Sequence, residues 1–224
     1  MLDGRAFRCE QSHSPVMVTR IDVYYDFRSP YAYFTSHRIR RGELAFSGVA
    51  WIWQPVSIDI LLNLQAGRDP CAPYLDPLPA PKRAHLIADV RRLASYYGLP
   101  MRSPKPPRPN SIPALCLAAL LKEEPRARFT SAVFDALWQE QRDISDAEVL
   151  ANCLTGCDGS PDAIERAFEA SARAGLADAT AKAYEHGVFG VPTFVCNGDL
   201  FFGNDRLDLL AWTAAKQRPA RRER

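Results

Sequence analysis

The sequence predicts an α/β protein in which a βαβ opening and a ββα ending frame a long helical insertion, and three observations lead there. Ile21, Val23, Tyr25 and Phe27 alternate with Asp22, Tyr24 and Asp26, the period of a strand whose two faces differ. From Ser57 to Gly187 the alternation gives way to apolar residues at helical spacing. Period two returns in Thr193–Cys196 and Asp199–Phe202, which are separated by Asn197-Gly198, the strongest local signal for a type I′ hairpin.

Each element has its own punctuation. Ser29-Pro30 starts the first helix, because serine is a favoured N-cap and proline a favoured first helical residue; the helix is expected to run to Phe46, with Gly42 a weak point and Ser47-Gly48 its stop. Val49 to Trp53 then read as a second strand, and a helix between two strands makes them parallel with a right-handed crossover. The Pro- and Gly-rich stretch from Ser57 to Pro81 reads as a mobile covering loop with one short helix near Ile58–Leu64.

The helical run begins with Leu86, Ile87, Val90, Leu93, Ala94 and Tyr97, and Gly98 with Pro100 ends it. Met101 to Pro109 is a proline-rich strap across a surface. Ser111 to Lys122 is apolar nearly all round and predicts a buried helix, and Phe129, Val133, Phe134, Leu137 and Trp138 form an apolar stripe. Ser145 with Glu148 makes a capping box for a short helix ending near Leu154. Ser160-Pro161 opens another, expected to continue to Tyr184 with a break at Gly175. Asp205 is expected to cap a final helix carrying Leu207, Leu210, Ala211 and Ala214.

Composition narrows the function classes. The chain has 224 residues and a net charge of +2, without the basic excess of a nucleic-acid surface. It has no apolar run long enough for a membrane span and no secretory leader pattern at its N-terminus, so a cytoplasmic location without nucleic-acid or membrane partners is expected. Residues 1–17 show no periodicity and read as a disordered extension, with Met17 the expected biological start. The six cysteines, Cys9, Cys71, Cys116, Cys153, Cys157 and Cys196, form no C-x-x-C pair and have no zinc-ligand spacing to histidine. They read as reduced thiols, and no metal site is expected.

The candidate site is the strand-to-helix junction DFRSPYAYF, from Asp26 to Phe34. Ser29 at a helix start gathers free backbone N–H groups and the positive end of the helix dipole, which suits an anion; the same features also mark an ordinary capped helix. This stretch and GVFGVPTFVCNGDLFFGNDR, from Gly187 to Arg206, together resemble the 2-hydroxychromene-2-carboxylate isomerase family. That family is close to kappa-class glutathione transferases and DsbA-type oxidoreductases, and the resemblance runs from about Thr19 to Trp212. It implies a thioredoxin-like domain made of residues 18–56 and 188–217, with 57–187 an inserted helical domain. It also implies glutathione as cofactor, a small aromatic substrate, cis–trans isomerisation of an aromatic-degradation intermediate, and a homodimer.

The resemblance assigns roles by position. Ser29, Pro30, Tyr31 and Ala32 stand where a dithiol enzyme has C-x-x-C, so the thiolate must come from glutathione, with Ser29 donating to its sulfur. Val191, before a cis Pro192, is expected to pair with the backbone of the tripeptide, and Phe189 to pack nearby. Asp205 and Arg206 are assigned to its γ-glutamyl end, with Gly203 and Asn204 allowing close approach, and Lys82 to its glycine carboxylate. Asn110 is a candidate substrate contact. Relatives carry Gly-Asn where this chain has Gly67-Arg68-Asp69, so Arg68 or Asp69 is a candidate replacement and the loop from Ser57 to Pro81 is expected to set substrate choice. Tyr31 and Tyr33 are available for stacking, one of them as core. Two other readings share the site: a kappa-like glutathione transferase or peroxidase, and a non-catalytic binding protein.

Overall fold

The computed structural model describes residues 18–43 and 48–216; the expectations for residues 1–17, including the Met17 start, lie outside them. Strand β1 (Thr19–Tyr25), helix α1 (Pro30–Arg40) and strand β2 (Val49–Pro55) form the opening unit. β1 and β2 pair in parallel, with Ile21 opposite Trp51 and Val23 opposite Trp53. Strands β3 (Thr193–Cys196) and β4 (Asp199–Phe202) return on the other side, antiparallel, giving the order β2-β1-β3-β4. The hairpin turn has φ of 51° at Asn197 and 92° at Gly198, the positive values a type I′ turn needs.

Between the halves lie α2 (Ile58–Gln65), α3 (Ala80–Tyr96), α4 (Ile112–Leu120), α5 (Glu123–Trp138), α6 (Ala147–Leu154), α7 (Asp162–Ala167) and α8 (Ala170–Glu185). A 3-10 turn (Asn204–Arg206) leads into α9 (Leu207–Lys216). The predicted alternation is realised through Tyr25, with Ile21, Val23 and Tyr25 fully buried; past the strand end it stops, and Asp26 is buried together with Phe27. Tyr25 and Phe27 meet the α5 stripe, where Phe134 lies 5.1 Å from Phe27 and 5.9 Å from Tyr25, and burying such a ring contributes roughly 1.5–3 kcal/mol. The Tyr25 hydroxyl is satisfied by Thr130 at 2.7 Å. Trp138, at the end of α5, donates its indole N–H to Phe27 O at 2.9 Å and stacks on Tyr33. These contacts tie the helical run to the strand end that precedes Ser29. Arg126 fixes the α4 terminus, donating to the carbonyls of Ala118, Leu121 and Trp53.

Four boundaries differ from the sequence reading. α1 stops at Arg40, because Gly42 takes a left-handed φ of 62°. The cap of α6 is Asp146, whose carboxylate accepts from the Glu148 and Val149 N–H groups, while Ser145 donates to Asp143 instead. The break in the late helices falls at Phe168-Glu169, where Glu169 becomes extended, and Gly175 lies inside α8. Asp205 sits within the 3-10 turn, so it does not cap α9; Gly203, at φ 106°, precedes that turn.

Candidate functional site

Ser29 is 5% exposed and takes the extended conformation of an N-cap. Its Oγ accepts from Ala32 N–H at 3.2 Å and donates to Val191 O at a long 3.4 Å. Pro30 has no N–H, and Ala32 N–H is already bonded. Tyr31 N–H, which makes no backbone hydrogen bond among the described residues, is therefore the open donor of this first turn. The result is a hydroxyl with one weak acceptor, at the positive end of a helix.

Opposite Ser29 the Val191-Pro192 bond is cis, as expected. Val191 makes no backbone–backbone hydrogen bond among the described residues. The loop is braced by Thr193, whose hydroxyl donates to Gly190 O at 2.7 Å. Phe189 meets Phe202 in a tilted pair with centroids 4.7 Å apart and planes at 49°, so it packs on β4 beside the site.

Two hollows open on either side of α3, one reached by Tyr31 and the other by Pro30. The first, about 390 Å³, is lined by Tyr31, Asp89, Leu93, Val191-Pro192 and Gly203–Asp205, among others, and its charged lining residues are both acids. Tyr31 donates to Asp89 at 3.0 Å; burial and the neighbouring Asp89 and Asp205 carboxylates push its phenol up to about 12. Asn204 accepts from the Thr35 hydroxyl and donates to the Tyr97 hydroxyl, anchoring the turn that carries Asp205. Glycine at 203 is required by its φ of 106°, a conformation that residues with a Cβ rarely adopt, and it turns the chain so that Asp205 stands at the rim. Each acid has an arginine beside it: Arg92 is 3.5 Å from Asp89 and Arg206 is 3.7 Å from Asp205.

The second hollow, about 630 Å³, has mostly apolar walls, including Leu86, Val90, Met101, Pro104 and Trp138, and its charged lining residues are Arg28 and Arg91. Arg28 is held between Asp26 at 3.1 Å and Asp59 at 3.0 Å. Burial opposes charge on Asp26. The Arg28 charge and hydrogen bonds from Arg28 and from Ile58 N–H overcome that, holding its carboxyl below the usual range. Asp59 also receives Arg108 at 2.5 Å, and Arg108 lies over the Tyr74 ring. The covering loop is thus latched to the strap behind this cavity. A third groove, lined by Trp51, Trp53 and Asp135, has its acid taken up in a two-pronged pair with Arg40 and includes no residue of the Ser29 turn.

Ser29, Val191, Pro192 and Asp205 therefore come together. Arg206 stands behind Asp205 and is more than half exposed. Lys82 is exposed on the first turn of α3 and lines neither hollow. Asn110 accepts from Ile112 N–H at 3.1 Å, starting α4, and also lines neither. Arg68 binds Asn63 and Pro73 O, and Asp69 the Cys71 N–H; both staple their own loop. Tyr33 is core. Sequence reasoning gave no site role to Asp89, Arg28 or Arg91, and it read the strap as crossing a surface without placing it in a cavity wall. Position 28 lay within the highlighted motif, whereas Asp89 and Arg91 carried only the signal of charges interrupting an apolar helical period.

None of the described cysteines lines either hollow. Burial pushes Cys116 and Cys153 up to about 11, and exposed Cys71 lies in the covering loop. No described helix is long and apolar enough to cross a membrane.

Comparison with known proteins gives a consistent picture. The family model for the DSBA-like thioredoxin domain matches residues 20–213. A 2-hydroxychromene-2-carboxylate isomerase of Sphingobium xenophagum is 28% identical over 196 residues, covering 87% of this chain and 97% of its own. Glutathione S-transferase kappa 1 of Caenorhabditis elegans is 22% identical over 207 residues, covering 86% and 89%. The solved structure of a 2-hydroxychromene-2-carboxylate isomerase superposes with a TM-score of 0.72 at 24% identity, covering 88% of this chain and 95% of that one.

Proposed function

The chain belongs to the DSBA-like thioredoxin domain family, and from that premise we propose a glutathione-dependent cis–trans isomerase acting on 2-hydroxychromene-2-carboxylate or a related aromatic-degradation intermediate. The observation that carries the reading is the Ser29 hydroxyl, buried at a helix start and facing the backbone before cis Pro192. A dithiol enzyme needs cysteine there. This chain has a donor for somebody else's sulfur.

The residues fit glutathione. The weak 3.4 Å contact from Ser29 to Val191 O leaves the hydroxyl able to exchange its acceptor for a thiolate, a stronger, charge-assisted one. Val191 has no backbone partner, and its carbonyl carries only the weak contact from Ser29, so its main chain would be available to pair with an extended peptide. Asp205 would hold the ammonium, and the rim arginines Arg206 and Arg92 the carboxylates. When bound, glutathione supplies a thiol that adds to a conjugated carbon and leaves again, so that the intervening bond can rotate. The protein's part is to hold that thiol as thiolate with Ser29 and the α1 dipole, and to seat the acceptor in the cavity beside Pro30. The apolar walls, with Trp138 and Met101 among them, would give the acceptor ring a surface to pack against.

The likeness to a kappa-class transferase supports a second reading, in which the same cleft serves conjugation to a different electrophile. A spectrophotometric assay of chromene-carboxylate isomerisation, with and without glutathione, separates the possibilities. Turnover that needs the thiol supports isomerisation, turnover unaffected by its omission sinks the mechanism, and activity confined to a halonitrobenzene points to transfer. Failure to bind glutathione in calorimetry would instead favour a non-catalytic binding protein. The reading carries a cytoplasmic homodimer with it, and sedimentation of the purified protein tests the dimer.

A further inference from the structure

We propose that Arg91 receives the carboxylate of the acceptor at the cavity beside Pro30, and is the specificity-determining residue that selects a flat aromatic acid over its neutral counterpart. The inference rests on the acceptor cavity of the proposed function but concerns a residue to which no role has been given above. Among the lining residues of this cavity Arg28 and Arg91 are the ionisable ones, and both are positive. Arg28 is already neutralised on two sides by Asp26 and Asp59, so it offers a new anion little. Arg91 makes no ion pair or side-chain hydrogen bond among the described residues and is exposed. Asp89, the only acid in the α3 sequence, is engaged by Tyr31 and Arg92 on the other side of the helix.

Ile87, Val90, Arg91 and Ala94 follow one another at three- and four-residue spacing, the neighbours of a single helix face, and all line this cavity. Its volume of about 630 Å³ falls within the range of small-molecule sites. A ring system lodged against Val90, Met101 and Trp138 with its acid group outward would meet a guanidinium that has no competing partner. Planar, two-pronged recognition of a carboxylate is what a guanidinium does best.

Calorimetric titration of the full chain with trans-cinnamate and with cinnamamide tests this, because the probes share shape and differ in charge. Wild type should prefer the acid. Arg91→Ala should weaken cinnamate by about five- to tenfold, the loss of one partly exposed charge-assisted contact, and leave cinnamamide unchanged. Arg91→Lys should recover part of the loss, and Arg166→Ala, the same charge change on α7, should have no effect. In turnover, Arg91→Ala should raise KM for the chromene carboxylate with kcat nearly constant. Equal binding of acid and amide by wild type, or undiminished cinnamate binding by a folded Arg91→Ala protein, overturns the proposal. If wild type shows no glutathione-dependent turnover yet loses its acid preference on Arg91→Ala, the isomerase reading fails and the role of Arg91 stands.

Discussion

The hollows on either side of α3 share the first turn of α1 and differ in sign. Toward Tyr31 the lining charges are Asp89 and Asp205; toward Pro30 they are Arg28 and Arg91. The acid-lined cleft is assembled largely from turns, the cis-proline loop and Gly203–Asp205, which are tied together by the Gly203 N–H donating to Pro192 O at 2.9 Å. The base-lined cavity is made mainly of apolar side chains from α3, the strap and the end of α5. The first suits a peptide-like ligand with an ammonium and the second a flat anion. On the proposed function α3 would separate the peptide from the acceptor, with Ser29 on the turn that the two hollows share.

The largest expected effect breaks the base-lined wall at its root. Asp26→Asn leaves Arg28 with Asp59 alone and removes a buried charge partner, which should cost about 3 kcal/mol of stability by urea unfolding at neutral pH. Because the Asp26 carboxyl is held below its ordinary value, its stabilisation is fully present above the unfolded-state value near 4. It is lost as pH falls through the lower folded-state value. The difference between wild type and variant should therefore shrink in acid; a gap that widens there would show that Asp26 is not ionised in the folded protein.

Next comes the shared turn. Ser29→Ala should lower kcat by about 100-fold, the scale for removing one donor to a developing anion, while cinnamate still binds. The pH at which rate reaches half its maximum should move upward, since the bound thiol loses a donor. Full activity would detach Ser29 from the chemistry.

The smallest of the three sharpens the contrast itself. Asp205→Asn should weaken glutathione by about five- to tenfold and leave cinnamate affinity unchanged, the mirror of Arg91→Ala. If both ligands weaken together, the hollows are not independent sites.

Much of this was legible because it is local. Alternation across residues 21–25, the Ser29-Pro30 helix start and the Asn197-Gly198 turn follow from the strand period and from the φ values that serine, proline, asparagine and glycine permit within a few residues. Local reasoning also explains the misplacements. It assigned the α6 cap to Ser145 although Asp146 competes one residue later with a stronger acceptor. It gave Asp205 a cap's role when Gly203 had already turned the chain into a 3-10 start. Asn110 and Lys82 were marked by position within a pattern, and the structure uses the first to begin α4 and leaves the second exposed on α3.

By itself, then, the sequence determined the strands, the helix starts and the absence of cysteine at positions 29 and 32, which alone removes disulfide exchange at that turn. Only the tertiary structure decided what surrounds Ser29. The Ser29–Val191 contact spans 162 residues, Tyr31–Asp89 spans 58 and Arg28–Asp59 spans 31. Whether a charge is neutralised or left available depends on which distant group packs against it. No local period encodes that, so Arg28 and Arg91 look alike in the sequence and differ in the fold.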